Sequence, residues 1–141
     1  MLGNHAIIGV VTIRISEQCP MALQEKLYTS EDLWELSQNP ENDGKRLTLI
    51  DGRLLSRAPA GWIHGDIAFS ISGMIRNYIN QHQLGRGTAA ETGYILAPNT
   101  VLAPDVGFIA KDRIPKELPA GFVPFAPDLA VEVVSPSNSP A

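Results

Sequence analysis

Apolar and polar positions follow three rhythms along this chain, and each rhythm predicts an element. Tyr28-Thr-Ser-Glu-Asp-Leu-Trp-Glu-Leu36 carries a helix start: Thr29 can cap, Asp32 is its reciprocal partner three residues on, and Tyr28 and Leu33 occupy the two staple positions. Glu31 and Asp32 suit the positive end of the helix dipole, and Leu33, Trp34 and Leu36 supply a buried side. The helix must end before Asn39-Pro40, and Glu41-Asn-Asp-Gly44 is a polar loop. Two apolar runs, residues 46–50 and 53–57, flank Asp51-Gly52, the strongest short signal for a β-hairpin, because both turn positions need positive φ.

Pro59-Ala-Gly61 breaks the second strand, and His64 opens a longer helix. Its apolar positions Ile67, Ile71, Met74, Ile75, Tyr78 and Ile79 keep a 3.6-residue period, while Ser70, Arg76, Asn77, Asn80 and Gln81 take the wet side. Leu84-Gly-Arg-Gly87 supplies glycine to end it. Residues 88–96 then read as one strand with Glu91 embedded, and residues 101–110 as the next, with Pro104-Asp105 inside it. Four prolines make residues 111–127 a loop. Residues 129–134 form a last strand, whose apolar run, interrupted only by Glu132, predicts a central place in the sheet. The order predicts an α+β domain with an N-terminal hairpin and a long helix packed on a mixed β-sheet.

With 141 residues and 44% hydrophobic content, the chain can build one domain with a real core. The net charge of −4 argues against binding nucleic acid by bulk electrostatics, but leaves room for a local basic groove or one made basic by a bound divalent metal. A single cysteine, Cys19, excludes an internal disulfide framework and fits a reducing compartment, so a cytoplasmic protein is expected. No run is long enough to span a bilayer, and no membrane partner is expected. The apolar stretch at residues 6–13 lacks the preceding Lys or Arg and the small-residue cleavage site of a signal peptide. Met21-Ala-Leu-Gln-Glu-Lys reads like a protein start, so residues 1–20 are expected to be an upstream extension and residues 21–141 the domain itself.

Two carboxylates stand out. A glutamate inside an apolar strand is costly unless paired, protonated or bound to metal, and Glu132 is such a residue. Asp105 can face it from the neighbouring strand. Two hard oxygen ligands suit Mg²⁺, which takes one or two carboxylates and keeps several waters. The rival reading is a glutamate satisfied by an arginine or a backbone amide, and residue chemistry alone leaves both open. His64, at a helix start, is placed to hold a phosphate or a water, or is simply an exposed loop histidine. His5 and His82 lack ligand spacing, Trp34 reads as a packing residue, and Glu91 points either to the carboxylate pair or to solvent. No phosphate-binding loop, nucleophile elbow, H-E-x-x-H or paired C-x-x-C occurs. Two tryptophans and a short chain speak against a carboxylate-pair glycosidase.

In order and spacing, Tyr28-Thr-Ser-Glu-Asp-Leu, Leu49-Ile-Asp-Gly-Arg-Leu54, His64, Ala103-Pro-Asp-Val-Gly-Phe-Ile109 and Pro127-Asp-Leu-Ala-Val-Glu-Val-Val-Ser-Pro-Ser137 resemble the Uma-type family of restriction endonucleases, in the PD-(D/E)XK nuclease superfamily. The resemblance implies a restriction-endonuclease-like fold and hydrolysis of DNA phosphodiester bonds with Mg²⁺ or Mn²⁺. Asp105 and Glu132 fall on the superfamily's metal-binding acids, and His64 matches the family's histidine at the start of the long helix. Two departures follow. The family's glutamate in the hairpin is Thr48 here, and the superfamily's lysine, two residues after the second acid, is Val134. Family members commonly take that lysine from a helix beyond Ser-Pro-Ser, so the resemblance implies a chain shortened at its C-terminus, with Lys111, Lys116 or Arg113 as conceivable substitutes. Shortening would also bare a strand edge that a homodimer could cover. Two expectations therefore stand: a Mg²⁺-dependent DNA endonuclease, or an inactive relative kept as a dimerising or DNA-associated module.

Overall fold

A computed structural model describes residues 26–134; the expected start at Met21, Cys19 and the Ser-Pro-Ser segment lie outside them. Helix α1 spans Ser30–Gln38. Its capping box is complete: the Asp32 amide donates to Thr29 Oγ1 at 3.2 Å, and the Thr29 amide donates to Asp32 Oδ2 at 2.8 Å. Those Thr29 contacts hold the Asp32 carboxyl below its usual range. Tyr28 packs against the core cluster of Leu33, Leu49 and Val101, as a staple residue would.

The hairpin forms as read, from β1 (Arg46–Ile50) and β2 (Arg53–Arg57). Asp51 and Gly52 take φ of 48° and 80°, so a two-residue turn locks Ile50 opposite Arg53 and Arg46 opposite Arg57. Helix α2 covers Trp62–His82 and ends at Gln83, which takes the left-handed conformation (φ 52°) that the sequence assigned to glycine. The Leu84 amide then bonds back to the Ile79 carbonyl at 3.1 Å.

Beyond α2, two predicted strands each divide in two, and both divisions carry the chain between sheets. Residues 88–96 separate into β3 (Gly85–Ala89) and β4 (Tyr94–Ala97), because Glu91 sits at φ 72° in a turn. Residues 101–110 separate into β5 (Thr100–Leu102) and β6 (Val106–Ala110), because Pro104 has no amide to give the ladder. The last strand, β7, is Leu129–Val131. The mixed sheet resolves into two antiparallel ones, a four-stranded sheet ordered β2-β1-β5-β4 and a three-stranded sheet ordered β3-β6-β7. Among the described residues, parallel pairing is confined to an isolated bridge between Tyr94 and Val123.

The α+β class and the long helix stand, whereas the central place of the last strand does not. Among the described strands, β7 pairs only with β6, and Leu129 is exposed. Just past its end, the Val133 amide donates to the Asp105 carboxylate rather than to a strand carbonyl.

The sheets are joined by Tyr94, fully buried on β4, whose hydroxyl lies 2.7 Å from Thr88 Oγ1 on β3. That hydroxyl rests on Gly107 of β6, where any Cβ would collide with it. Helix α2 is covered far less than its period predicts. Ile79 is buried, Ile71 and Ile75 are half-buried, and Ile67, Met74 and Tyr78 are exposed along with Trp62, Ile63 and Phe69. Among the described residues no helix is long and apolar enough to cross a membrane.

Candidate active site

The three residues singled out in the sequence come together in a cleft of about 700 Å³ at the seam between the sheets. In the antiparallel register of β6 and β7, Val106 faces Val131 and Gly107 faces Ala130. One step further along, Asp105 comes opposite Glu132. Asp105 therefore follows the Pro104 break at the start of β6, and Glu132 lies just past β7, at the same end of the sheet.

Asp105 is the fixed member of the pair. Its Oδ2 accepts the Val133 amide at 2.8 Å and lies 3.2 Å from His64 Nε2, a contact that becomes an ion pair when the imidazole is protonated. Both side chains are about 15% exposed (16% for His64, 15% for Asp105). His64 reaches Asp105 from the first turn of α2, which begins after Gly61 without a side-chain cap. Its partner is thus a carboxylate, not open solvent.

Glu132 is the more exposed member, with its carboxyl only partly covered. Partial burial of its carboxyl pushes its pKa above the ordinary value, the negative charge of Asp105 pushes it further, and Arg57 and His64 pull in the opposite direction. Among the described residues it makes no hydrogen bond or ion pair. The rival sequence reading, a glutamate satisfied by a backbone amide, describes Asp105 instead.

The rest of the cleft wall was only partly visible in the sequence. Thr48, the position where an acid was expected, lines the cleft from β1 and is buried. Glu91 also lines it, but is exposed and pairs with Arg46 at 2.6 Å, Nη2 to Oε1. Arg57 was missed. The signal that could have found it is the hairpin register, which sets Arg57 opposite Arg46 and two positions along from Leu55, the partner of Thr48, so all share one face.

None of the three basic residues weighed from the sequence lines the cleft. Arg113 holds Asp128 Oδ1 at 2.6 Å and the Ala126 carbonyl at 2.9 Å, beyond the far end of β6 from Asp105. Lys111 follows that same end, and five strand residues separate it from Asp105, roughly 20 Å at the usual rise. Lys116 is exposed in the loop after η2, the single turn Lys111–Arg113.

Among the described residues, no group of three or more His, Cys, Asp or Glu side chains has the spacing to hold a metal ion. Asp105 and Glu132 nevertheless suit a hard divalent cation: two carboxylates face one another, and their mutual repulsion is the kind a bound cation relieves.

Comparison with known proteins agrees with this fold. A search of curated proteins gives no match. A crystal structure described as a putative nuclease belonging to DUF820, from Anabaena variabilis ATCC 29413, superposes with a TM-score of 0.65 at 21% sequence identity. The alignment covers 79% of this chain and 60% of that one, so the chain spans less than two thirds of the solved protein's length, and the likeness is one of fold. A family model, Uma2, described as "Putative restriction endonuclease", matches residues 31–141. That span contains α1 from Glu31 onward, the hairpin, His64, Asp105 and Glu132, and the chain belongs to the Uma2 family.

Proposed function

We propose that this chain is a divalent-metal-dependent DNA endonuclease domain, with Asp105 and Glu132 as metal ligands and His64 as the group that orients Asp105. The observation that carries this reading is the facing of two carboxylates at one sheet end, in a cleft, with one of them anchored by an imidazole and a backbone amide. A Mg²⁺ or Mn²⁺ ion bound there would polarise the scissile phosphodiester and lower the pKa of the attacking water. The chain's own residues do the rest. The Val133 amide and His64 fix one oxygen of Asp105, leaving the other for the metal. Glu132, unpaired and pressed by a like charge, is ready to take a cation. A DNA substrate and a reducing compartment put this work in the cytoplasm, and a homodimer formed over the open edge of β7 belongs to the same reading.

One observation favours a second reading. Thr48 is buried in the cleft wall where the family's additional acid is expected, which supports a DNA-associated module that no longer cuts. Plasmid DNA incubated with the chain and Mg²⁺ or Mn²⁺ separates the two. The nuclease reading expects nicking or linearisation that falls by at least about 100-fold in Asp105→Ala and Glu132→Ala, the upper range for loss of a supporting group at a metal site. An intact plasmid with the parent chain selects the second reading, and cutting that survives both substitutions sinks the assignment of the acids.

A further inference from the structure

We propose that Arg57 is a phosphate-binding residue of this cleft, receiving the nucleic-acid backbone beside the two carboxylates. The proposal rests on the nuclease reading above and adds to it a cation for the phosphate backbone. Arg57 is the last residue of β2 and stands directly opposite Arg46 in the hairpin register, so both side chains leave the same face. Like charges in facing positions are unfavourable unless something neutralises them. Arg46 is neutralised by Glu91 at 2.6 Å. Arg57 lines the cleft with Asp105, Glu132 and His64, and among the described residues it has no hydrogen bond or ion pair.

Two other cations among the described residues are already committed. Lys45 gives its ammonium to Asn42 Oδ1 at 2.9 Å, and Arg113 is held by Asp128. Two carboxylates repel a phosphodiester, so a backbone entering the cleft needs positive charge on more than one side. A metal on the acids would supply one side, and the Arg57 guanidinium on the hairpin supplies the other. The planar fork of arginine matches two phosphate oxygens at once, as lysine cannot. Arg57 also shares a strand face with Leu55, the partner of Thr48, and Thr48 lines the same cleft as both acids.

The experiment uses the whole chain with arginine side chains labelled for NMR, titrated separately with inorganic phosphate and, in Ca²⁺, with a short DNA duplex. The Arg57 Nε–H resonance is expected to move with the duplex. Arg57→Ala is expected to weaken duplex binding about 10-fold, the value of one charge-assisted hydrogen bond, and to reduce the salt-dependence slope by about 1. Arg57→Lys should restore the slope, and Arg57→Gln, closer in size, should repeat the loss seen with alanine. No resonance response to either ligand, or unchanged affinity and slope in Arg57→Ala, overturns the proposal. A lower melting temperature with unaltered binding overturns it too, since that marks a structural role. A response to inorganic phosphate without duplex binding keeps the subsite and sinks the nuclease reading. Cleavage at the parent rate in Arg57→Ala does the reverse.

Discussion

The two sheets of this fold are built from similar residues and end in different conditions. In the four-stranded sheet, α1 lies on β1 and closes a core in which Leu33, Leu49 and Val101 are at most 3% exposed. Trp34 and Phe122 seal its edge, ring to ring at 5.2 Å. In the three-stranded sheet, Val106 and Ile109 are buried, but α2 keeps much of its apolar surface bare. A groove of about 440 Å³ runs there between Met74, Tyr78, Leu84, Phe108 and Leu129. Closure, not hydrophobic content, separates the two halves. The cleft draws from both: the closed sheet supplies Thr48 and Arg57, and the open one supplies Asp105 and Glu132. The carboxylates therefore sit on the half whose packing is lighter, and Tyr94 is the strut that ties that half to the firmer one.

The largest test of this contrast is stability. Leu49→Ala should cost about 2–5 kcal/mol in denaturant unfolding, because a fully buried side chain leaves a cavity in the closed core. Met74→Ala, at 65% exposed, should stay within about 0.5 kcal/mol. Equal losses would break the comparison. A melting temperature that rises with protein concentration would sharpen it, because a second copy would then be covering the open face.

A smaller effect is expected at the strut. Tyr94→Phe should cost about 1 kcal/mol, the net worth of one buried hydrogen bond, since the ring stays and only the contact to Thr88 is lost. Hydrogen exchange should then quicken in β3 and β6 more than in β1 and β5, because the loss falls on the side with less packing to absorb it. Uniform quickening would mean that the two sheets open as one unit.

Local chemistry explains which parts of this fold and site were legible. The capping box at Thr29 and Asp32, the Asp51-Gly52 turn, and the acids of Ala103-Pro-Asp and Val131-Glu are set by residues near one another in sequence, so their pattern carries the information. The divided strands were harder. Glu91 adopts positive φ although it is neither glycine nor asparagine, and a strand pattern gives no warning of that. Helical period in α2 identifies the apolar side correctly but says nothing about what covers it, so burial was over-read at Ile67, Met74 and Tyr78. The place of β7 failed for the same reason: an apolar run reads as central whether or not a second neighbour pairs with it. Arg57 was within reach, since counting back from the Asp-Gly turn sets it opposite Arg46. Its significance depends on Glu91 neutralising one arginine and not the other, a contact across 45 residues.

The smallest expected effect concerns Glu132, and it asks whether the open half carries a built-in electrostatic cost. Its carboxyl is pushed above the ordinary value of 4.5, first by burial and then by Asp105. The folded chain therefore holds a proton there that the unfolded chain has already released. The corresponding stability is fully present below the ordinary value and is lost as pH rises through the raised one. Glu132→Gln removes the ionisation, so variant and parent should melt together below about pH 4, and the variant should melt higher at pH 7. The gain is modest because the residue retains contact with solvent, which screens its charge. A divalent cation should reverse the order at pH 7, stabilising the parent by binding its folded state and leaving the variant little changed. If Glu132→Gln melts lower than the parent at pH 7 without metal, Glu132 is a satisfied structural residue, and the carboxylate pair is not a waiting cation site.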